Sequence, residues 1–106
     1  MNIFFVMLEV ENGCGDIVTE PVGFYSTSDC VRSAMKNSEE KQLNKNKDIV
    51  YMRFKVFIGS DGEEKPFEVY RKYSKFYKNK EVKRGQYGSL EQWIGPKTGE
   101  IRTKID

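Results

Sequence analysis

The chain contains no histidine. That removes the commonest general acid–base group and the commonest metal ligand. Its two cysteines, Cys14 and Cys30, form no Cys-x-x-Cys pair and have no imidazole to complete a ligand set, so no metal site is expected. A disulfide between them is not expected either. Cys14 falls in a turn and Cys30 at the start of a helix beyond the returning strand. The roughly ten extended residues between those ends span roughly 30 Å, against a Cα separation of about 7 Å that a disulfide tolerates. Both are read as free thiols in a reducing compartment. No Gly-x-Ser-x-Gly elbow is present, and the Gly13-x-Gly15 pair lies between two strands rather than before the helix N-terminus that a phosphate loop needs. The expectation is a protein without catalytic residues and without a cofactor.

Long hydrophobic runs are missing as well. The apolar stretch from Ile3 to Leu8 has no basic residue before it and stops at Glu9, too short for a signal sequence or a bilayer span. It reads as a first β-strand starting beside the initiator Met, as in a complete small reading frame, cytoplasmic and not inserted in a membrane. With 106 residues the chain has the length of one domain, taken as 1–106. Charged residues make up 32% of it, yet its apolar positions are patterned, which separates it from disordered chains.

That patterning predicts an α+β fold. Phe4, Val6, Leu8 and Val10 share one face of the first strand, and Glu11 to Asp16 is rich in turn formers. Ile17 to Tyr25 returns as a second strand, in which Pro21 predicts an edge or a bulge. Ser26, Thr27, Ser28 and Asp29 offer N-caps to a helix with Cys30, Val31, Ala34 and Met35 on one side. Residues 50–58 alternate cleanly: Val50, Met52, Phe54, Val56 and Ile58 on one face, Tyr51, Arg53, Lys55 and Phe57 on the other. The Asp61-Gly62 pair predicts a tight hairpin to an answering strand ending at Tyr73. A basic linker and a third hairpin, 90–94 with 100–105, complete the order ββ-α-ββ-ββ. The architecture expected is an antiparallel sheet of hairpins with one amphipathic helix packed on one face.

Net charge is only +2, but it is unevenly distributed. Arg71, Lys72, Lys75, Lys78, Lys80, Lys83 and Arg84 stand against a single acid, Glu81, a net +6 in fourteen residues, so the remainder of the chain nets −4. Tyr70, Tyr73, Phe76, Tyr77 and Tyr87 are interleaved or flanking. Cations with aromatic faces suit an acidic protein surface, and they also suit nucleic acid, where cations neutralise phosphates and rings stack on bases. The candidate binding residues are Arg71, Lys72, Tyr73, Lys75, Tyr77, Lys78, Lys80, Lys83 and Arg84. A protein partner with an acidic surface is the first expectation and a nucleic acid the second.

Two resemblances add to this. The run Phe67-Glu68-Val69-Tyr70-Arg71-Lys72-Tyr73-Ser74-Lys75-Phe76 resembles the phosphoinositide motif of phox-homology domains. That likeness implies a phosphate grip for Arg71 and inositol stacking for Tyr73. It covers about ten residues, and the Lys- and Gly-containing segment that follows departs from the helices of that family. Residues 1–36, a strand, a turn, a strand ending Pro-Val-Gly-Phe-Tyr-Ser-Thr and a short helix, are similar in layout to small uncharacterised proteins of phages and bacteria. With the Lys/Asn-rich tract that follows, this implies a phage-type inhibitor or adaptor that occupies a surface on a host or defence protein.

Overall fold

In the computed structural model, residues 2–60 and 67–90 are described. They form β1 (Asn2–Asn12), β2 (Ile17–Tyr25), α1 (Ser28–Lys45), β3 (Ile49–Ser60), β4 (Phe67–Tyr77) and β5 (Lys80–Gly88). The strands make one antiparallel sheet in the order β2-β1-β3-β4-β5, with the single helix on one side: an α+β fold.

Alternation decides which side is which. Phe4, Val6, Leu8 and Val10 of β1 and Met52, Phe54, Val56 and Ile58 of β3 are all buried on the face that Val31 and Met35 of α1 cover. Tyr70 and Phe76 of β4 and Leu90 extend this core. The helix begins where the Thr27 hydroxyl accepts the Cys30 amide at 3.2 Å, satisfying one of the four free amides of the first turn. Its polar second half is tied down by Gln42, whose Nε2 donates to Glu20 of β2 at 3.2 Å.

Three expectations are corrected. Val50 is exposed and Ile49 takes its place in the core, because the pairing of β1 with β3 shifts between Glu11 and Asn12 and leaves Val50 as the extra residue of a bulge. Ala34 is only half-buried, since the turn of helix carrying it faces the groove beside β2. The stretch expected as a basic linker is the end of β4 followed by β5. The two are joined by a two-residue turn, Lys78-Asn79, with both residues at positive φ. That is the conformation that matches strand twist in a tight hairpin, and Asn tolerates it better than most residues. The expected hairpin of 90–94 with 100–105 lies outside the described residues, apart from Leu90.

The same turn latches the sheet to the helix. Asn79 Nδ2 donates to the carbonyls of Leu43 at 3.2 Å and Asn46 at 2.7 Å, and its Oδ1 accepts the Ile49 amide at 3.1 Å. Replacing Asn79 with Ala strands the Ile49 amide and puts alanine, which tolerates the left-handed region less well than asparagine, at φ 61°. The expected cost is about 2–4 kcal/mol in urea unfolding. Asn79→Gly relieves the backbone but not the lost bonds and should recover only part of it. A loss below about 1 kcal/mol for the Ala variant would show that water replaces the latch.

Candidate functional site on the open sheet face

The face of the sheet opposite α1 carries no element among the described residues, so its side chains meet solvent. Register aligns them in cross-strand rows. One runs Ile17–Glu11–Tyr51–Lys75–Lys83, the next Thr19–Glu9–Arg53–Tyr73–Gly85, the third Pro21–Met7–Lys55–Arg71–Tyr87, and the fourth Phe24–Phe5–Phe57–Glu68.

The fourth row is an apolar cluster in the open. Phe5 stacks on Phe24 with centroids 4.8 Å apart and approaches Phe57 at 6.2 Å, yet Phe24 remains 70% exposed. Stacking of this kind stabilises by about 0.5–1.5 kcal/mol, which leaves most of the apolar surface of Phe24 still in water.

The middle rows are an interlocked network of charge and ring. Arg53 donates from Nε to Glu9 at 3.1 Å and from Nη2 to the same oxygen, and its guanidinium lies 5.6 Å from the Tyr51 ring centroid. Glu9, one of two acids in the largely apolar first strand, is thus a partner for Arg53. Arg71 makes a two-pronged bond to Glu68, 2.8 Å on each prong, and lies 5.8 Å from the Tyr87 ring. The Arg71 bond holds the Glu68 carboxyl below its ordinary pKa, and the reciprocal bond raises that of Arg71. Burial raises the Tyr51 hydroxyl, so it stays neutral over the physiological range. Tyr73 stands beside Tyr51 at 6.4 Å, and its ring lies over Gly85, where any β-carbon would collide with it.

The first row holds an unusual pair. Lys75 and Lys83 are directly opposite each other across β4 and β5. Neither has a carboxylate within ion-pair distance among the described residues. Like charges placed this way destabilise a sheet by about 0.2–1 kcal/mol.

Of the nine candidate residues, Arg71, Tyr73, Lys75 and Lys83 therefore share the open face. Lys72 and Arg84 turn to the helix side: Lys72 Nζ is 3.8 Å from Glu39 of α1, and Arg84 bonds Glu81 at 2.9 Å. Tyr77, Lys78 and Lys80 sit at the β4–β5 turn, with Lys78 Nζ 5.5 Å from the Tyr77 ring. Sequence reasoning left out Tyr51, Arg53, Lys55 and the three phenylalanines. Their alternation was visible, but only the register joins them to the 71–84 segment. The phosphate grip implied for Arg71 is occupied by Glu68 in this geometry.

Two Ser-x-x-Lys spacings, Ser33–Lys36 and Ser38–Lys41, run along α1, with no hydrogen bond between hydroxyl and amine among the described residues. Cys14 and Cys30 are free and exposed. No group of three or more metal-ligating side chains occurs among the described residues, and no helix there is long and apolar enough to cross a membrane. No protein-family model matches the chain, and no curated protein or solved structure matches it.

Proposed function

We propose that this is a non-enzymatic binding protein whose open sheet face docks on another protein. The observation that carries the reading is that one open face holds both an exposed phenylalanine cluster, at its β2–β1–β3 end in the fourth row, and the opposed lysines Lys75 and Lys83, at its β4–β5 end in the first row. Aromatic residues, Met and Arg at the centre of a patch with charges at its rim are the composition of protein interfaces. The partner has an apolar centre facing Phe5, Phe24 and Phe57, and carboxylates facing the lysines, where they relieve the repulsion between the two ammonium groups. The likeness of residues 1–36 to phage proteins supports a host or defence protein as that partner, in a cytoplasm that keeps both cysteines reduced.

A second reading, single-stranded nucleic acid, is favoured by Tyr51, Tyr73 and Tyr87 lying near three lysines on the same face. Against it, Glu9, Glu11 and Glu68 lie on that face and repel phosphates, and both arginines are already engaged.

Lys75→Glu tests the first reading through opposed signs. It converts a like-charge pair into an ion pair, so the fold should gain up to about 1 kcal/mol. Binding to a partner captured from host extract and then purified should weaken at least about tenfold, since a charge reversal across a complementary interface costs several kcal/mol. A salt series separates the two readings: each lost phosphate contact lowers the logarithmic salt slope by about 0.7 for a single strand. Unchanged partner affinity in Lys75→Glu would overturn the docking face. A steep salt dependence on a plain oligonucleotide would transfer the function to nucleic acid.

A further inference from the structure

β5 is an edge strand with an unusual combination of properties. It is nine residues long and contains no proline. Only Gly85 within it is even half-buried, so it is open to solvent on both faces of the sheet. Among the described residues it pairs only with β4. Every second amide and carbonyl of an antiparallel edge strand points away from its neighbour, which makes a row of unused donors and acceptors ready for another strand. Natural proteins usually shorten, cover or charge such an edge. Here the device is charge: Lys80, Lys83 and Arg84 line it against one acid, Glu81, which pairs with Arg84 at 2.9 Å, a net +2. Val82 and Tyr87, 63% and 71% exposed, bracket Lys83 and Arg84.

The chemistry of that protection is selective. Two copies of β5 brought edge to edge would each bring that net positive charge, with Lys80 and Lys83 free of carboxylate partners among the described residues, so repulsion opposes self-association. The same groups attract a strand bearing carboxylates. On the helix side the added strand would meet a cleft of about 460 Å³ between α1 and the sheet, lined by Met35, Leu43, Tyr70 and Arg84. On the open side it would pass Tyr87 and Lys83. Alternate side chains of an acidic–apolar strand fit this arrangement, with backbone bonds supplying affinity and the flanking groups supplying selection.

We infer that β5 accepts an extended acidic segment of a partner protein by strand addition. This deepens the reading of the chain as a protein-binding module without using the phenylalanine cluster.

The test is amide hydrogen exchange by NMR on the whole chain, alone and with a capped synthetic peptide of alternating Glu and Val. A Lys–Val peptide serves as control. In the free protein, alternate amides of β5 should exchange quickly. With the Glu–Val peptide they should slow at least about tenfold, and the Lys–Val peptide should leave them unchanged. Lys80→Glu with Arg84→Glu should weaken the Glu–Val peptide at least about tenfold while amides of β1 and β3 keep their protection. Phe24→Ala should leave peptide binding unaltered, which separates this inference from the docking face. Three results would each overturn it: β5 amides all protected in the free chain, which means that its own residues occupy the edge; no slowing with the acidic peptide; or equal slowing with the basic one.

Discussion

Phe54→Ala is expected to destabilise the protein by about 3–5 kcal/mol, the range for removing a buried aromatic side chain. Phe54 lies in β3, the central strand, on the face covered by the helix, and is 2% exposed. Its neighbours in register are Leu8 of β1 and Lys72 of β4. With strands on both sides, the backbone has little freedom to collapse into the space left behind, which puts the cost in the upper part of that range. A domain of this size has about 5–15 kcal/mol in total, so the variant should be marginal. Urea unfolding followed by circular dichroism measures it. The companion variant Lys55→Ala, one residue along on the open face, should change stability by less than about 0.5 kcal/mol. Equal effects at the two positions would mean that the two faces of the sheet are not distinguished as the burial pattern requires.

That contrast between neighbours was legible in the sequence, because a period of two needs no tertiary information. Met52, Phe54, Val56 and Ile58 alternate cleanly with Arg53, Lys55 and Phe57. Phe4, Val6, Leu8 and Val10 alternate only imperfectly, since Ile3, Phe5 and Met7 are apolar on the other face, yet each set is buried. The antiparallel pairing of β3 with β4 was expected too, from the Asp61-Gly62 pair between them, which itself lies outside the described residues. β5 was not legible, for an equally physical reason. Lys80 to Gly88 buries almost nothing, so selection for apolar alternation is absent, and its turn is made by Lys78-Asn79 without the glycine that usually marks one. Pro21 marked β2 as an edge strand, and the register does slip beside it, but the bulge in β3 was invisible. The extra residue at Val50 reverses facing within one step, and no local rule of composition marks it. The candidate site suffered most from this. The basic segment became, once folded on alternating faces, three cations and a tyrosine on the open side and two cations on the helix side. The rest of the site arrived from β1, β2 and β3, which are distant in sequence. Periodicity fixes which face a residue occupies, but only pairing decides who its neighbours are.

The second large effect concerns binding, and it falls on a residue whose loss the fold should tolerate. Phe24→Ala is expected to weaken the protein partner by about 2–4 kcal/mol, or roughly 30- to 1,000-fold in Kd. Phe24 is on edge strand β2, stacked on Phe5 and 70% exposed. It therefore contributes to stability mainly through one ring contact, about 0.5–1.5 kcal/mol. In a complex it offers much more, because most of its surface is still hydrated and its ring is already held in place by Phe5. A pre-positioned aromatic gives up little side-chain entropy on docking, which is why such residues dominate binding energy. Tyr77 makes the appropriate comparison. It is similarly exposed, at 66%, but sits by the β4–β5 turn, away from the phenylalanine row. Tyr77→Ala should cost the complex less than about 1 kcal/mol. Calorimetric titration of both variants against the purified partner gives the comparison, with urea unfolding to show that each remains folded. If Tyr77→Ala weakens the complex and Phe24→Ala does not, the working surface is the turn of the basic segment and not the open face. The phenylalanine cluster would then be an ordinary solvated patch, and the Lys75–Lys83 pair, which borders that turn, would belong to the working surface there.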